Sequence, residues 1–251
     1  MILKEKERLF IKIPNDFFYD DGERLENIGG RNSFVLYCLI TIRKNINNHT
    51  YLTIKEIDNI LQIDKNIYRS KKVIINCLQL LKKHGLINFD TNIKNINNTD
   101  SIKIEWINLF PNKDDFGWIK FCADDFDIFD KIGIIPYCTM WVLRMYTNHE
   151  SDTSFIAIND ISSILKCRTE KVQYSIDLFE YTNLFDIIRG NYYYNESYGR
   201  NIKKNNEYKY TGNIDVLMNT DDRTIKKILF PETSKKTEDE NEELLCYFLV
   251  I

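Results

Sequence analysis

The chain of 251 residues sets 34 Lys and Arg against 37 Asp and Glu, a formal net charge of −3, with 43% hydrophobic and 28% charged residues. That length suits one large or two small domains with a sizeable core, and the composition excludes a disordered chain or, with only 9 Gly and 4 Pro, a collagen-like one. No apolar run reaches the roughly 18 residues that a membrane span needs.

Residues 1–10 (MILKEKERLF) lack the apolar stretch of a secretion signal, so a cytoplasmic location is expected. Cys38, Cys77, Cys122, Cys138, Cys167 and Cys246 show no CxxC spacing and read as buried free thiols.

A weak internal repeat organises the chain. FIKI at Phe10–Ile13 is echoed by WIKF at Trp118–Phe121, and the apolar helix Phe34–Ile42 by Thr139–Tyr146. YLTIKEI at Tyr51–Ile57 is echoed by FIAINDI at Phe155–Ile161, with Leu61 and Leu165 following at equal distances. Two copies of one module are the simplest account. Each copy reads as extended segment, helix, short helix, turn, longer helix and β-hairpin, the layout of a winged helix. The expected fold class is therefore α+β, two tandem winged helices and a C-terminal helical and apolar tail, with domains at 8–110, 115–200 and 201–251.

In the first copy, Thr53 with Glu56 three residues on predicts a capping box for a short helix to about Leu61. Gln62-Ile63 then turns, Asp64 caps a helix over Lys65–His84, and Gly85 stops it. Leu86–Asp90 and Ile102–Ile107 alternate as strands flanking an Asn-rich wing. The second copy repeats this with helices Asn159–Leu165 and Thr169–Thr182. Its hairpin is expected between Phe185–Arg189 and Tyr192–Asn195, turning at Gly190-Asn191.

The longer helix of the first copy places Ile67, Ile74, Leu78 and Leu81 inward. Lys65, Arg69, Lys72 and Asn76 face the other way, and no acidic residue occurs from Lys65 to Phe89. With Asn66, Tyr68 and Lys71, and with Lys94 and Lys103 of the wing, these are the candidate contacts to double-stranded DNA. Arg and Asn can bond base edges bidentately, whereas Lys neutralises phosphate. The second copy's helix turns Glu170, Tyr174, Asp177 and Tyr181 outward. Residues 111–200 hold 9 basic and 14 acidic side chains, so this module reads as acidic. Tyr174, Asp177 and Tyr181 are its candidate protein contacts, with Arg168, Thr169, Lys171 and Gln173 as a possible second DNA site.

Beyond it, Tyr198–Tyr210 reads as a basic, tyrosine-bearing connector, Ile214–Phe230 as an interrupted helix and Glu232–Glu243 as an acidic linker. Leu244–Ile251 (LLCYFLVI) is too apolar to hang free and is a candidate dimerisation segment.

Catalytic signatures are missing. His49, His84 and His149 form no HxH or HExxH, and no GxxxxGK[ST], GxGxxG or GxSxG occurs. Asp124, Asp125, Asp127 and Asp130 do not match a calcium loop and read as a solvated acidic face. No enzyme, cofactor, metal or small-molecule substrate is expected.

The stretch Phe10–Phe89 resembles the N-terminal winged helix of plasmid replication initiators of the RepA_N type, and of the related DnaD-like and phage replisome-organiser proteins. The residues that carry the resemblance are Phe10–Pro14 with Phe17, the helix Phe34–Ile42, Leu52–Ile57 and the ending Leu80–Ile87 (LLKKHGLI). The resemblance implies duplex DNA binding near an origin or operator; sequence-specific binding, a homodimer or higher assembly on repeated sites, and replication proteins as partners are the expectations drawn with it. Two alternatives stay open: a transcriptional regulator of a mobile element, and a winged-helix interaction adaptor that does not bind DNA.

Overall fold

The computed structural model describes residues 10–18, 23–62, 66–107, 118–148, 151–195, 197 and 199–231. The fold is α+β and divides into two compact units, Met1–Asp130 with Thr237–Ile251, and Lys131–Lys236. The division falls later than the expected boundary at 110–115, and residues 201–236 belong to the second unit. The linker Glu232–Glu243 and the tail Leu244–Ile251 lie outside the described residues.

In the first unit, β1 (Phe10–Pro14) pairs antiparallel with β5 (Trp118–Cys122), so the two repeated strands pair with each other, with Lys12 opposite Lys120. A short 3-10 helix (Asn15–Phe18) then brings Phe17 and Phe18 against Phe34 at ring-centroid distances of 5.4 and 4.7 Å. α1 (Glu23–Asn27) leads into α2 (Gly30–Arg43), which is buried from Ser33 to Thr41 and forms the centre of this unit's core.

β2 (His49–Thr53) runs into α3 (Ile54–Leu61) through the expected capping box: the Glu56 N–H donates to Thr53 Oγ1 at 3.0 Å and the Thr53 N–H to Glu56 Oε2 at 2.8 Å. These bonds hold the Glu56 carboxyl below its ordinary range. Gln62, at φ 45, turns the chain. α4 (Ile67–Lys83) follows, two residues shorter at its start than expected and capped by Asn66, whose Oδ1 accepts from the Tyr68 N–H at 3.0 Å. Asp64, the expected cap, is outside the described residues. α4 ends as expected: Gly85 takes φ +69, its N–H donates to Lys82 O, and the Leu86 N–H donates to Leu81 O. β3 (Ile87–Asn88) and β4 (Ser101–Trp106) complete a sheet in which β4 lies between β2 and β3.

The second unit repeats this order. The division falls within α5 (Ala123–Ile132), whose aspartates up to Asp130 belong to the first unit; in the second, α6 (Ile134–Met145) starts five residues earlier than expected and buries Trp141 and Tyr137. β6 (Thr147–Asn148), β7 (Thr153–Ser154), α7 (Ile158–Leu165) and α8 (Thr169–Tyr181) follow.

The expected hairpin is not formed. β8 (Phe185–Ile188) pairs with β11 (Glu207–Tyr210), while β9 (Tyr192–Asn195) pairs with β10 (Arg200–Lys203). Both pairings share one register: from Ile188↔Glu207 to Tyr192↔Lys203 each arm advances by four residues. The two pairs are thus one two-stranded ribbon whose arms, 185–195 and 200–210, are each about 35 Å long at ~3.3 Å per residue.

The ribbon is pinched in the middle. A Cβ on Gly190 would lie 1.9 Å from the Lys204 carbonyl oxygen, so the opposite strand crosses where a side chain would be. Buried Asn206 accepts the Gly190 N–H there at 3.1 Å and donates to the buried Tyr208 hydroxyl at 3.1 Å. Gly190-Asn191 is a crossing point, not a turn, and the connector Tyr198–Tyr210 supplies the return strand. The sheet order β6-β7-β11-β8 again puts the last strand between the other two of its copy.

α9 (Ile214–Asn219) and α10 (Asp222–Leu229) form the interrupted helix expected over Ile214–Phe230. Asp221 caps α10 by accepting from the Thr224 N–H, and α10 packs on α8.

Candidate nucleic-acid interface

α4 buries Ser70, Ile74, Cys77, Leu78 and Leu81, a stripe at helical spacing. The opposite side exposes Tyr68, Arg69, Lys72, Asn76 and Lys83. Tyr68, 78% exposed, is the most open aromatic there. Lys83 lies eleven residues, close to three turns, after Lys72 and so continues the Arg69–Lys72–Asn76 stripe. Cys77, on the inner face, has its thiol pushed up by burial and is no reactive centre.

Two expected contacts are otherwise engaged, and a third is not described. Asn66 uses its carbonyl oxygen as the helix cap. Lys71 donates to the Ile96 carbonyl, tying α4 to the segment before β4. Lys65 lies outside the described residues.

The expected wing, Asp90–Lys103, is packed down. A 3-10 turn (Ile93–Asn95) buries Ile93, and Ile96 is buried beside it, leaving Lys94 exposed. The Asn98 carbonyl accepts the Lys55 N–H at 3.0 Å, which docks the loop on the start of α3. Lys103 alternates outward on β4 opposite Tyr51, with Ile102 and Ile104 turned into the core. It is therefore on the outer face of the sheet.

In the second unit, four of the expected contact residues, Thr169, Lys171, Gln173 and Asp177, meet neighbours within the unit. Asp177 accepts from Gln173 at 2.8 Å and from Arg189 at 2.9 Å, and Arg189 also pairs with Glu180. The two carboxylates push the Arg189 guanidinium pKa upward. Lys171 sits 4.6 Å from the Phe230 ring centroid, and the Thr169 hydroxyl faces Ser162 Oγ at 3.4 Å. Arg168 and Tyr181 remain exposed, and Tyr174 is half-buried.

The charge reading of this half also changes. The compact unit Lys131–Lys236 holds 15 Lys and Arg against 13 Asp and Glu, a net +2. The acidic balance of residues 111–200 came from carboxylates at 114–130, which belong to the other unit, and from leaving out the basic residues after 200. Sequence reasoning missed Arg223, Lys226 and Lys227 of α10, all exposed; the signal was their i, i+3, i+4 spacing opposite Ile225 and Leu229.

Among the described residues, no group of three or more His, Cys, Asp or Glu is placed to hold a metal ion, and no helix is long and apolar enough to cross a membrane. No family model, curated protein or solved structure matches the chain.

Proposed function

We propose that this chain is a non-enzymatic protein of two winged helices that binds double-stranded DNA sequence-specifically, as a replication initiator or organiser of a plasmid or phage. One observation carries the reading: α4 exposes Arg69, Lys72, Asn76 and Lys83 along one side, has no carboxylate on any side, and follows a tight left-handed turn out of α3. A helix so placed fits a major groove, with Arg69 and Asn76 as base readers and Lys72 and Lys83 as phosphate contacts. Support for the winged-helix assignment comes from a shared order, in which α2, β2, α3, α4, β3 and β4 of the first unit correspond to α6, β7, α7, α8, β8 and β11 of the second, the last strand lying between the other two in each. The replication role rests on the resemblance of Phe10–Phe89, and assembly as a homodimer on repeated sites belongs to the same reading.

The test is selection of bound fragments from genomic DNA, followed by a gel-shift with the enriched site. Arg69→Glu with Lys72→Glu is expected to lower affinity at least about 30-fold, at ~1–3 kcal/mol per lost contact. Unchanged binding by a folded double variant rejects α4 as the reader. An adaptor that never meets DNA would show no retention on heparin or duplex at low salt.

A further inference from the structure

We infer that the second unit carries a phosphate-binding surface of its own, made by Arg223, Lys226 and Lys227 on α10 with Arg168 at the start of α8, and that its ligand is the backbone of duplex DNA. The identity of the polyanion rests on the reading above; the surface itself rests on different residues.

α10 buries Ile225 and Leu229 and leaves all three of its cations exposed. Its carboxylates are in use: Asp221 bonds the Thr224 N–H and hydroxyl at 2.9 and 2.7 Å, and Asp222 pairs with Lys131 at 2.8 Å. Asp222 also lies four residues before Lys226 and partly offsets it. Arg223 and Lys227 form an i, i+4 pair of like charge, an arrangement that destabilises a helix unless an anion lies across it. Complementing the helix dipole accounts for the lysines in the last turn but not for Arg223 in the first, where a cation is disfavoured.

The Lys171–Phe230 contact sets the end of α10 against the first turn of α8. Arg168 precedes Lys171 by three residues, and Lys226 and Lys227 precede Phe230 by four and three. These three cations are therefore within about one helical turn of that contact, and Arg223 lies one turn further back along α10. Arg168 occupies the N-cap without a side-chain cap, so the first N–H groups of α8 add positive potential there. Glu170 is the opposing carboxylate in that turn. Deeper along α8, Arg189 pairs with both Asp177 and Glu180 and offsets one of their two charges, and these carboxylates lie two to three turns from Arg168.

The experiment uses the full chain and a labelled short duplex, with anisotropy read over a series of salt concentrations. Arg223→Glu with Lys227→Glu is expected to weaken binding about tenfold or more at low salt, and to make log K against log salt shallower by about 2, two phosphate contacts at ~0.9 each. Arg223→Gln with Lys227→Gln should fall between that variant and the unaltered chain, and it carries the test if circular dichroism shows the Glu variant misfolded. Folded variants with unaltered affinity and slope overturn the inference. The Arg69→Glu, Lys72→Glu variant is run in parallel. If it binds normally while the α10 variant fails, the α4 reading falls and this one stands; the converse result removes this one alone. No binding by the unaltered chain removes both.

Discussion

α4 and α8 hold equivalent places in the two units and have opposite surfaces. Each follows an eight-residue helix that ends in a left-handed residue, Gln62 at φ 45 and Lys166 at φ 47. Each closes with the same pair of backbone bonds around a left-handed residue, Gly85 in one and Asn183 in the other. The left-handed residue before β2 recurs before β7, with Asn48 at φ 60 and Asp152 at φ 53. The backbone turning points have been kept while the outward faces have diverged. α4 exposes a cationic stripe; α8 is four residues shorter, ties its carboxylates to Arg189, and packs against a helix that bears the exposed cations instead. Between these two units, surface charge differs more than turn geometry does.

The largest effect on this comparison is expected at the ribbon, which has no counterpart of that length among the described residues of the first unit. Gly190→Ala drives a Cβ into the Lys204 carbonyl and should cost roughly 3 kcal/mol or more, read as a lowered urea midpoint and lost amide protection along both arms. Next come the paired helix starts. Thr53→Ala removes both capping bonds of α3 and should cost about 1 kcal/mol. Its equivalent before α7 is Ala157, which makes no side-chain cap, so Ala157→Thr should stabilise by roughly 0.5–1 kcal/mol. If Thr53→Ala and Ala157→Thr shift the unfolding midpoint in the same direction, the equivalence of the two units is broken.

A smaller effect concerns pH. Glu56 has a depressed folded-state pKa, so its contribution is present above the unfolded carboxylate range and is lost as pH falls through the folded value. The stability difference between the unaltered chain and Glu56→Gln should accordingly close on acidification, as measured by denaturation across pH 3–6 (roughly the carboxylate range). The smallest expected change is Asn183→Gly, a gain of a few tenths of a kcal/mol from relieving a left-handed non-glycine residue, against a loss of about 1 kcal/mol for Gly85→Ala.

The parts of the fold that could be read from the sequence were those with local chemistry. Thr53 and Glu56 announced the capping box, Gly85 the end of α4, and the apolar spacing of α4 its inner face. The hairpin of the second unit was misread because Gly190-Asn191 has the composition of a tight turn, while the requirement for glycine comes from a strand far along the chain passing within van der Waals reach. Asn66 and Lys71 had the side-chain chemistry of DNA contacts but are used by a cap and by a carbonyl 25 residues away. Charge summed over sequence windows also misled, since compact units do not follow those windows: carboxylates at 114–130 were credited to a unit that does not contain them.

The pairing of β1 with β5 has one more consequence. The strands are repeats of each other, and their register sets Phe10 against Cys122, Lys12 against Lys120 and Pro14 against Trp118, so each position meets the partner of its own equivalent. That is the isologous rule by which two identical subunits meet across a twofold axis. Two separate copies would form such a contact only as far as their concentration allowed. Here both strands belong to one chain, and the effective concentration is fixed by the covalent link between them. This pairing is therefore insensitive to dilution, unlike an interface between separate molecules.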